Sequence, residues 1–159
     1  MGRNAELLQL LADKQLTLGS AESITGGLFA GKMTEVPGSS AVFKGGIVAY
    51  DPAVKKAVLG VRGVTLKTKG VVSAQVAAEM ARGGAKALGV DICVSCTGNA
   101  GPTAQEGDEP VGKVYLGLAY NGAVWTIPLS LAGSREEIRK ATIEAMIAFV
   151  QSLFVEKEN

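Results

Sequence analysis

Apolar residues along this chain follow two periods, one typical of helices and one typical of strands. In residues 5–14, four leucines recur at the spacing of one helical stripe, which predicts an amphipathic opening helix. Residues 16–21, 42–50 and 90–96 are short, mainly apolar runs, and such runs predict buried strands. Strands that alternate with helices in this way are typical of an α/β fold.

Capping residues mark where several helices begin. A glycine-rich turn precedes a helical run at residues 28–36. Asp51 followed by Pro52 combines an N-cap aspartate with a proline at the first helical position. Ser73 is placed to cap a long helix, and residues 134–137 have the sequence of a capping box. These signals predict helices between the strands and a final helix after them.

The last two predicted strands differ from the others. Alternating segments at residues 112–120 and 123–131 flank Asn121 and Gly122, which is a strong short-range signal for a β-hairpin. Residues 60–70 are predicted to be a connection. The predicted fold class is therefore α/β, a three-layer α/β/α arrangement with a mostly parallel mixed sheet that contains at least one antiparallel strand.

Size and composition narrow the classes of protein. With 159 residues, of which 47% are hydrophobic and 19% charged, residues 1–159 are predicted to form a single domain. The net charge of +1 creates no broad field, so neither nucleic acid nor a membrane is expected as a partner. The longest apolar runs have strand length and the N-terminus does not resemble a signal peptide, so we expect a cytoplasmic protein.

The chain contains no histidine and only two cysteines, Cys93 and Cys96. Three residues apart on a strand, these thiols should face opposite sides and neither pair nor share a metal. We therefore expect no metal site, since soft ligands are too few for zinc. Without histidine, a nucleophilic serine would need a lysine or a carboxylate as its proton acceptor.

Candidate groups for such chemistry follow the ends of the predicted strands. Ser23 lies in a glycine-rich turn after the first strand. Tyr50 ends the second strand, Lys55 follows it, and Thr97 follows the third. Open α/β sheets bind their ligands at the carboxyl ends of their strands. Ser40 lies in a turn before the second strand. The amine of Lys55 can act as a base only if burial or another cation lowers its pKa.

Several motifs together resemble the C-terminal domain of the CinA family. They are AESITGG, VPGSSAVFKGGIVAY with a lysine five residues later, and TGNAGP followed by PVGKVYLGLA. The resemblance covers nearly the whole chain. It implies an α/β/α serine/lysine hydrolase without a cofactor or metal, which deamidates nicotinamide mononucleotide to nicotinic acid mononucleotide and ammonia. The implied partner is a small-molecule nucleotide substrate; the sequence leaves open whether the chain forms a homo-oligomer.

The resemblance also points to particular residues. We predict Ser40 as nucleophile and Lys55 as general base, with Ser23, Tyr50 and Thr97 orienting the pair and the carboxamide. Backbone N–H groups of residues 38–40 or 97–98 are alternative oxyanion donors, and residues 25–27 or 134–135 are alternative sites for the substrate phosphate. The predicted substrate-binding residues are Thr25, Gly26, Gly27, Gly98, Arg135 and Arg139.

A second hypothesis of a different class is a non-catalytic domain of the same fold that binds a pyridine nucleotide or a protein. Ile24, Asn99 and the pair Asp51-Pro52 depart from the residues usual in the family, and these positions belong to loops around the expected site. Ser23 and Ser40 are also of a type common in turns and helix caps. The joint occurrence of hydroxyls, phenol and lysine favours the hydrolase.

Overall fold

Helices and strands alternate in the computed structural model, which describes residues 1–104 and 106–155. Gln105, which follows the TGNAGP motif, lies outside the described residues. The helices are α1 (Arg3–Asp13), α2 (Leu28–Thr34), α3 (Pro52–Leu59), α4 (Gly63–Lys69), α5 (Ala74–Leu88) and α6 (Arg135–Ser152). The strands are β1 (Leu18–Glu22), β2 (Phe43–Val48), β3 (Ile92–Gly98), β4 (Lys113–Tyr120) and β5 (Ala123–Ser130), and a 3₁₀ turn occupies Ser39–Ala41.

The strands form one sheet in the order β2-β1-β3-β4-β5. Strand β1 pairs parallel to both β2 and β3, whereas β4 pairs antiparallel to β3 and to β5. Four strands therefore run in one direction and β4 runs against them. This arrangement confirms the predicted mixed, mostly parallel sheet.

Helices cover both faces of the sheet, so the fold is a three-layer α/β/α structure. The core on one face is formed by apolar side chains of α1, α2 and α6 packed on the strands. The core on the other face is formed mainly by α3 and α5, with Leu66 of α4 packed at its edge. All five residues of β1 and the first six of β3 are buried, as expected for central strands covered on both sides.

The predicted caps are present. Asp51 accepts a hydrogen bond from the backbone N–H of Ala53, and Ser134 forms a reciprocal capping box with Glu137. In the hairpin, Asn121 and Gly122 both have positive φ, 52° and 79°, as a type I′ turn requires. Local side-chain chemistry therefore set these element boundaries, as the sequence indicated.

Residues 60–70 correct the prediction, because they contain the helix α4 rather than a plain connection. Gly60 and Gly70, both at positive φ, lie on either side of it. Its first residue follows Arg62, whose side chain makes no capping hydrogen bond, so the usual start signal is missing. Packing against α5 stabilises this short helix. A helix of seven residues is too short for its hydrophobic period to be recognised in the sequence.

The two cysteines face opposite sides of β3, as predicted. Cys93 belongs to the core on the α3 and α5 face, and Cys96 to the core on the α1, α2 and α6 face. Both thiols are free and buried. Burial raises the pKa of Cys93 to about 12 and that of Cys96 to about 11. Within the described part of the chain, no helix has the length and apolarity needed to cross a bilayer.

Candidate active site

A buried lysine and a serine meet where β1 ends. Ser23 directly follows β1, and its backbone N–H donates to the carbonyl of Cys96 on β3 (3.1 Å). Lys55 lies on the inner side of α3 and is completely buried. Its Nζ is 2.7 Å from the Ser23 Oγ. The cap at Asp51 fixes where α3 begins, and thereby turns this lysine toward the sheet.

Two backbone carbonyls complete the surroundings of the Lys55 amine. Nζ donates to the carbonyl oxygens of Ala49 (2.7 Å) and Tyr50 (3.2 Å). A neutral amine has two N–H donors and one lone pair. When the two carbonyls take the two N–H groups, the lone pair is left for the hydroxyl of Ser23. This geometry is compatible with transfer of the Ser23 hydroxyl proton to a neutral Lys55.

Burial makes that neutral form accessible. Desolvation lowers the pKa of Lys55 to about 8, while Cys96 and Asp51 act in the opposite direction. At pH 7 a lysine with that pKa is about one-tenth neutral, compared with about 0.03% for one near 10.5. The gain of roughly 300-fold in the basic form is an electrostatic effect of the fold, and it meets the requirement set out from the sequence.

A cleft of about 560 Å³ opens over Ser23. Five of the predicted site residues line it: Ser23, Tyr50, Thr97, Gly98 and Arg135. The cleft also contains residues that were not singled out from sequence, among them Lys69, Asp108 and Glu109. Lys69 reaches the cleft because it ends α4, the helix that the sequence did not predict.

Thr97, Tyr50 and Arg135 form the walls of this cleft. Thr97 lies opposite Ser23 at the end of the neighbouring strand, and its hydroxyl donates to the carbonyl of Val71 (3.0 Å). Arg135, the first residue of α6, donates to the Tyr50 hydroxyl (3.2 Å) and to the carbonyl of Gly101 (2.6 Å). The arginine therefore links the loop after β2 to the loop after β3.

Glu22 is a part of the site region that sequence reasoning missed. Its carboxylate is completely buried and accepts four hydrogen bonds within 3.1 Å. The donors are the hydroxyls of Ser20 and Thr25 and the backbone N–H groups of Phe29 and Ala30. It thus caps α2 from seven residues upstream, a distance that no local capping motif covers.

The other predicted substrate-binding residues are in the loop after Ser23 and, for Arg139, on α6, and none of them lines the cleft. The Thr25 side chain is buried against Glu22, and Gly26 and Gly27 supply positive φ angles of 60° and 100° for the turn into α2. Arg139 donates to the carbonyls of Ile24 and Thr25, both at 3.1 Å. Its guanidinium is therefore bound to the protein's own backbone.

The structure does not bring Ser40 to Lys55, which corrects the predicted Ser40–Lys55 pair. Ser40 is exposed in the 3₁₀ turn, and its carbonyl accepts a hydrogen bond from Lys44 (2.8 Å). It is absent from the residues that line the cleft. Lys55 lies six residues after Ala49, and the chain turns it back onto the end of β1 rather than toward the start of β2. That choice depends on how α3 packs, which the sequence pattern did not contain.

The fold and the cleft together define an α/β/α protein with a buried serine–lysine pair at the carboxyl ends of parallel strands. Residues 2–154 match the family model of the CinA C-terminal domain. The chain belongs to this family.

Relatives with curated sequences carry the same region within longer proteins. A putative competence-damage inducible protein of Clostridium acetobutylicum is 44% identical over 142 residues, which is 89% of this chain and 34% of that protein. A CinA-like protein of Frankia casuarinae is 44% identical over 147 residues, 92% of this chain and 34% of that protein. The chain thus spans about a third of the length of these relatives.

Solved structures share the fold over nearly the whole chain. A CinA superfamily protein from Escherichia coli superposes with a TM-score of 0.93 at 29% identity, covering 96% of this chain and 88% of that one. A competence/damage inducible protein from Agrobacterium tumefaciens gives a TM-score of 0.88 at 38% identity, covering 96% of each chain.

Proposed function

We propose that this chain is an amidohydrolase in which Ser23 is the nucleophile and Lys55 the general base, and that its substrate is nicotinamide mononucleotide. The observation that carries the proposal is the 2.7 Å contact between the buried Lys55 amine and the Ser23 hydroxyl. The family resemblance supplies the substrate class. Ser23 replaces Ser40 as the proposed nucleophile, because Ser23 is the serine in contact with the base.

The reaction follows the order of a serine hydrolase. Ser23 Oγ attacks the carboxamide carbon while its proton passes to Nζ of Lys55, giving a tetrahedral intermediate and an ammonium. Lys55 then returns the proton to the carboxamide nitrogen, the C–N bond breaks and ammonia leaves. Water attacks the resulting ester, Lys55 accepts its proton, and transfer of that proton to Ser23 Oγ releases the carboxylic acid. A base that alternates in this way needs a pKa near the working pH.

The negative charge on the tetrahedral oxygen needs a fixed donor. The backbone N–H of Ile24 is the proposed one, since it belongs to the residue after the nucleophile and has no acceptor among the described residues. Serine hydrolases of unrelated folds use the backbone N–H of the residue after their nucleophile for this purpose. Ile24 lines the cleft beside Ser23.

The cleft suits a nucleotide in size, and two of its lining side chains are cations that a phosphate could contact. Its volume of about 560 Å³ lies within the range typical of small-molecule sites. Lys69 and Arg135 are the cations among its described lining residues, and we assign the substrate phosphate to this pair. The Thr97 hydroxyl, which donates to Val71, keeps its lone pairs for the carboxamide N–H groups.

One assay tests the proposal. Purified protein is incubated with nicotinamide mononucleotide, nicotinamide riboside or free nicotinamide, and released ammonia is measured. We expect fastest release from the mononucleotide. Equal rates on all three would contradict the nucleotide assignment, and tight binding of the mononucleotide without any ammonia would favour a non-catalytic binding domain.

A further inference from the structure

The loop that presents Ser23 is held from two sides. From inside, Glu22 accepts hydrogen bonds from the Thr25 hydroxyl (2.7 Å) and from Phe29 N–H at the start of α2 (2.8 Å). From outside, Arg139 on α6 donates through Nε to the Ile24 carbonyl and through a terminal nitrogen to the Thr25 carbonyl. The two carbonyls are consecutive, and the planar guanidinium spans both at once.

The bonds made by Arg139 fix the orientation of the backbone next to the nucleophile. The Ser23 carbonyl accepts from Gly26 N–H (3.0 Å), and the Thr25 carbonyl accepts also from Leu28 N–H (3.1 Å), so two tight turns follow each other. The Ile24 carbonyl, by contrast, accepts its hydrogen bond among the described residues from Arg139. Without that contact the Ile24–Thr25 peptide can rotate. The Ile24 N–H proposed for the oxyanion lies in the preceding peptide and is joined to it through the Ile24 Cα, so the loop then holds that N–H less firmly.

Arg139 differs in this respect from Arg135, four residues earlier on the same helix. Arg135 lines the cleft and contacts Tyr50 and Gly101. Arg139 is half-buried against the loop and is not among the residues that line the cleft. Its guanidinium lies close to Gly26, where a β-carbon would be 3.3 Å from it. The helix thus offers one arginine to the cleft and one to the loop.

We propose that Arg139 is a positioning residue, which acts on catalysis by holding the Ile24–Thr25 backbone and not by contacting the substrate. The kinetic test of this inference rests on the proposed function, because kcat and KM are measured for ammonia release. Because the oxyanion exists only in the transition state and the intermediate, loss of its donor lowers kcat and leaves KM nearly unchanged. Loss of a substrate contact would instead raise KM.

The test uses the full chain with Arg139→Lys, Arg139→Gln and Arg139→Ala, and Lys140→Gln as the matched control. Lys140 is the exposed neighbour on α6 and forms an ion pair with Glu136 (2.9 Å). For Arg139→Gln we expect kcat for ammonia release to fall at least about tenfold with KM within about twofold of wild type. Arg139→Lys should fall in between, since a single ammonium does not match two carbonyls as the guanidinium fork does.

Two further readouts separate positioning from general damage to the fold. Millimolar guanidinium should partly restore kcat in Arg139→Ala but not change wild type. A fluorophosphonate reagent provides a measure that does not depend on the natural substrate: Ser23 Oγ bonds to phosphorus, fluoride leaves, and the serine proton passes to Lys55. We expect slower labelling of Ser23 in Arg139→Gln than in Lys140→Gln, read by mass spectrometry.

Each outcome has a definite meaning. A raised KM with unchanged kcat would make Arg139 a substrate contact and overturn the inference. A lower melting temperature with unchanged kcat and labelling would reduce it to a structural residue. If the wild-type protein releases no ammonia but is labelled at Ser23, the proposed substrate is wrong, and the labelling rates still test the role of Arg139. If the wild-type protein is not labelled at Ser23, both the proposed function and the role of Arg139 are overturned.

Discussion

The chemistry proposed here depends on one buried amine and its three oxygen neighbours. Lys55 has no exposed surface, and the carbonyls of Ala49 and Tyr50 bind two of its hydrogens while Ser23 lies at the third position. The same burial that is costly for an ammonium makes the neutral amine available near neutral pH. Position within the fold therefore gives this lysine the lowered pKa that the proposed base requires.

Replacing the two candidate serines decides which of them is the nucleophile. Ser23→Ala should lower kcat by at least about a thousandfold, because the group that forms the covalent intermediate is lost. Ser40→Ala should keep kcat within about threefold of wild type, since Ser40 is exposed and outside the cleft. Steady-state ammonia release measures both. Near-normal turnover in Ser23→Ala with a dead Ser40→Ala would restore the original assignment.

The lowered pKa of Lys55 predicts how the rate depends on pH. The proposed mechanism needs the neutral amine. kcat/KM should therefore rise with pH through a midpoint of about 8, the pKa of Lys55 in the folded protein. Lys55→Met should lower kcat at least about a hundredfold and remove this rise. Lys56→Met, an exposed neighbour on α3, serves as the control. A rate that falls as pH passes 8 would require the ammonium form and contradict the proposal.

The same pKa shift has a consequence for stability. Between about pH 8 and 10.5 the unfolded chain holds a proton on Lys55 that the folded chain has released, so the free energy of unfolding should rise with pH in that window. Relative to Lys55→Met, the gain should approach about 3 kcal/mol. Urea titrations of both proteins at several pH values would measure it. A difference that stays constant from pH 7 to 10.5 would contradict a lowered pKa.

At the scale of elements, the cleft is built from segments that the chain keeps far apart. Ser23 after the end of β1 and Lys69 at the end of α4 line the cleft, and α3 supplies Lys55, which contacts Ser23. The short helix α4 is the element that the sequence pattern missed, and it carries a cation now assigned to the substrate phosphate. Parallel strands place their carboxyl ends together, which explains why these loops converge.

Lys69 offers a test of the phosphate subsite. Lys69→Gln should raise KM for nicotinamide mononucleotide about tenfold and leave KM for the riboside unchanged, because the riboside has no phosphate. Lys67→Gln is the matched control, an exposed lysine on the same helix outside the cleft. Equal effects on nucleotide and riboside would place the phosphate elsewhere. All kinetics are measured at one ionic strength, so that salt screens the surface charges equally in every variant.

Glu22 joins two elements, because it is the last residue of β1 and its carboxylate caps α2. Glu22→Gln replaces one acceptor oxygen with a donor that faces Ala30 N–H, so we expect a loss of about 2 kcal/mol in the free energy of unfolding. Glu35→Gln, an exposed residue after α2 with a 3.5 Å ion pair to Lys32, should change stability by less than about 0.5 kcal/mol. Denaturant titrations compare them. Equal stabilities would show that the buried carboxylate is not needed as an acceptor.

At the scale of the whole molecule, the sheet separates two cores. Cys93 and Cys96 belong one to each core, so no local movement brings their thiols together or exposes both. A thiol reagent should therefore react with neither cysteine in the folded protein, and with both in denaturant. The raised pKa of each thiol slows the reaction further. Rapid modification of one thiol under native conditions would indicate local opening on that face.

Features that depend on neighbours along the chain could be predicted from the amino-acid sequence. Hydrophobic periods, the caps at Asp51 and Ser134, and the turn at Asn121-Gly122 fixed most elements and the fold class, because each involves residues within one or two turns of each other.

The assembly of the site, in contrast, depends on contacts between residues far apart in the chain. The partner of Lys55 lies 32 residues away, the donors to Glu22 extend to the next helix, and the helix α4 depends on packing against α5. Whether Lys55 reaches Ser23 or Ser40 is a matter of which side of α3 is buried against the sheet, and that is settled by the packing of whole layers. Periodicity along the chain identifies a buried face, but it does not specify which distant residue meets it.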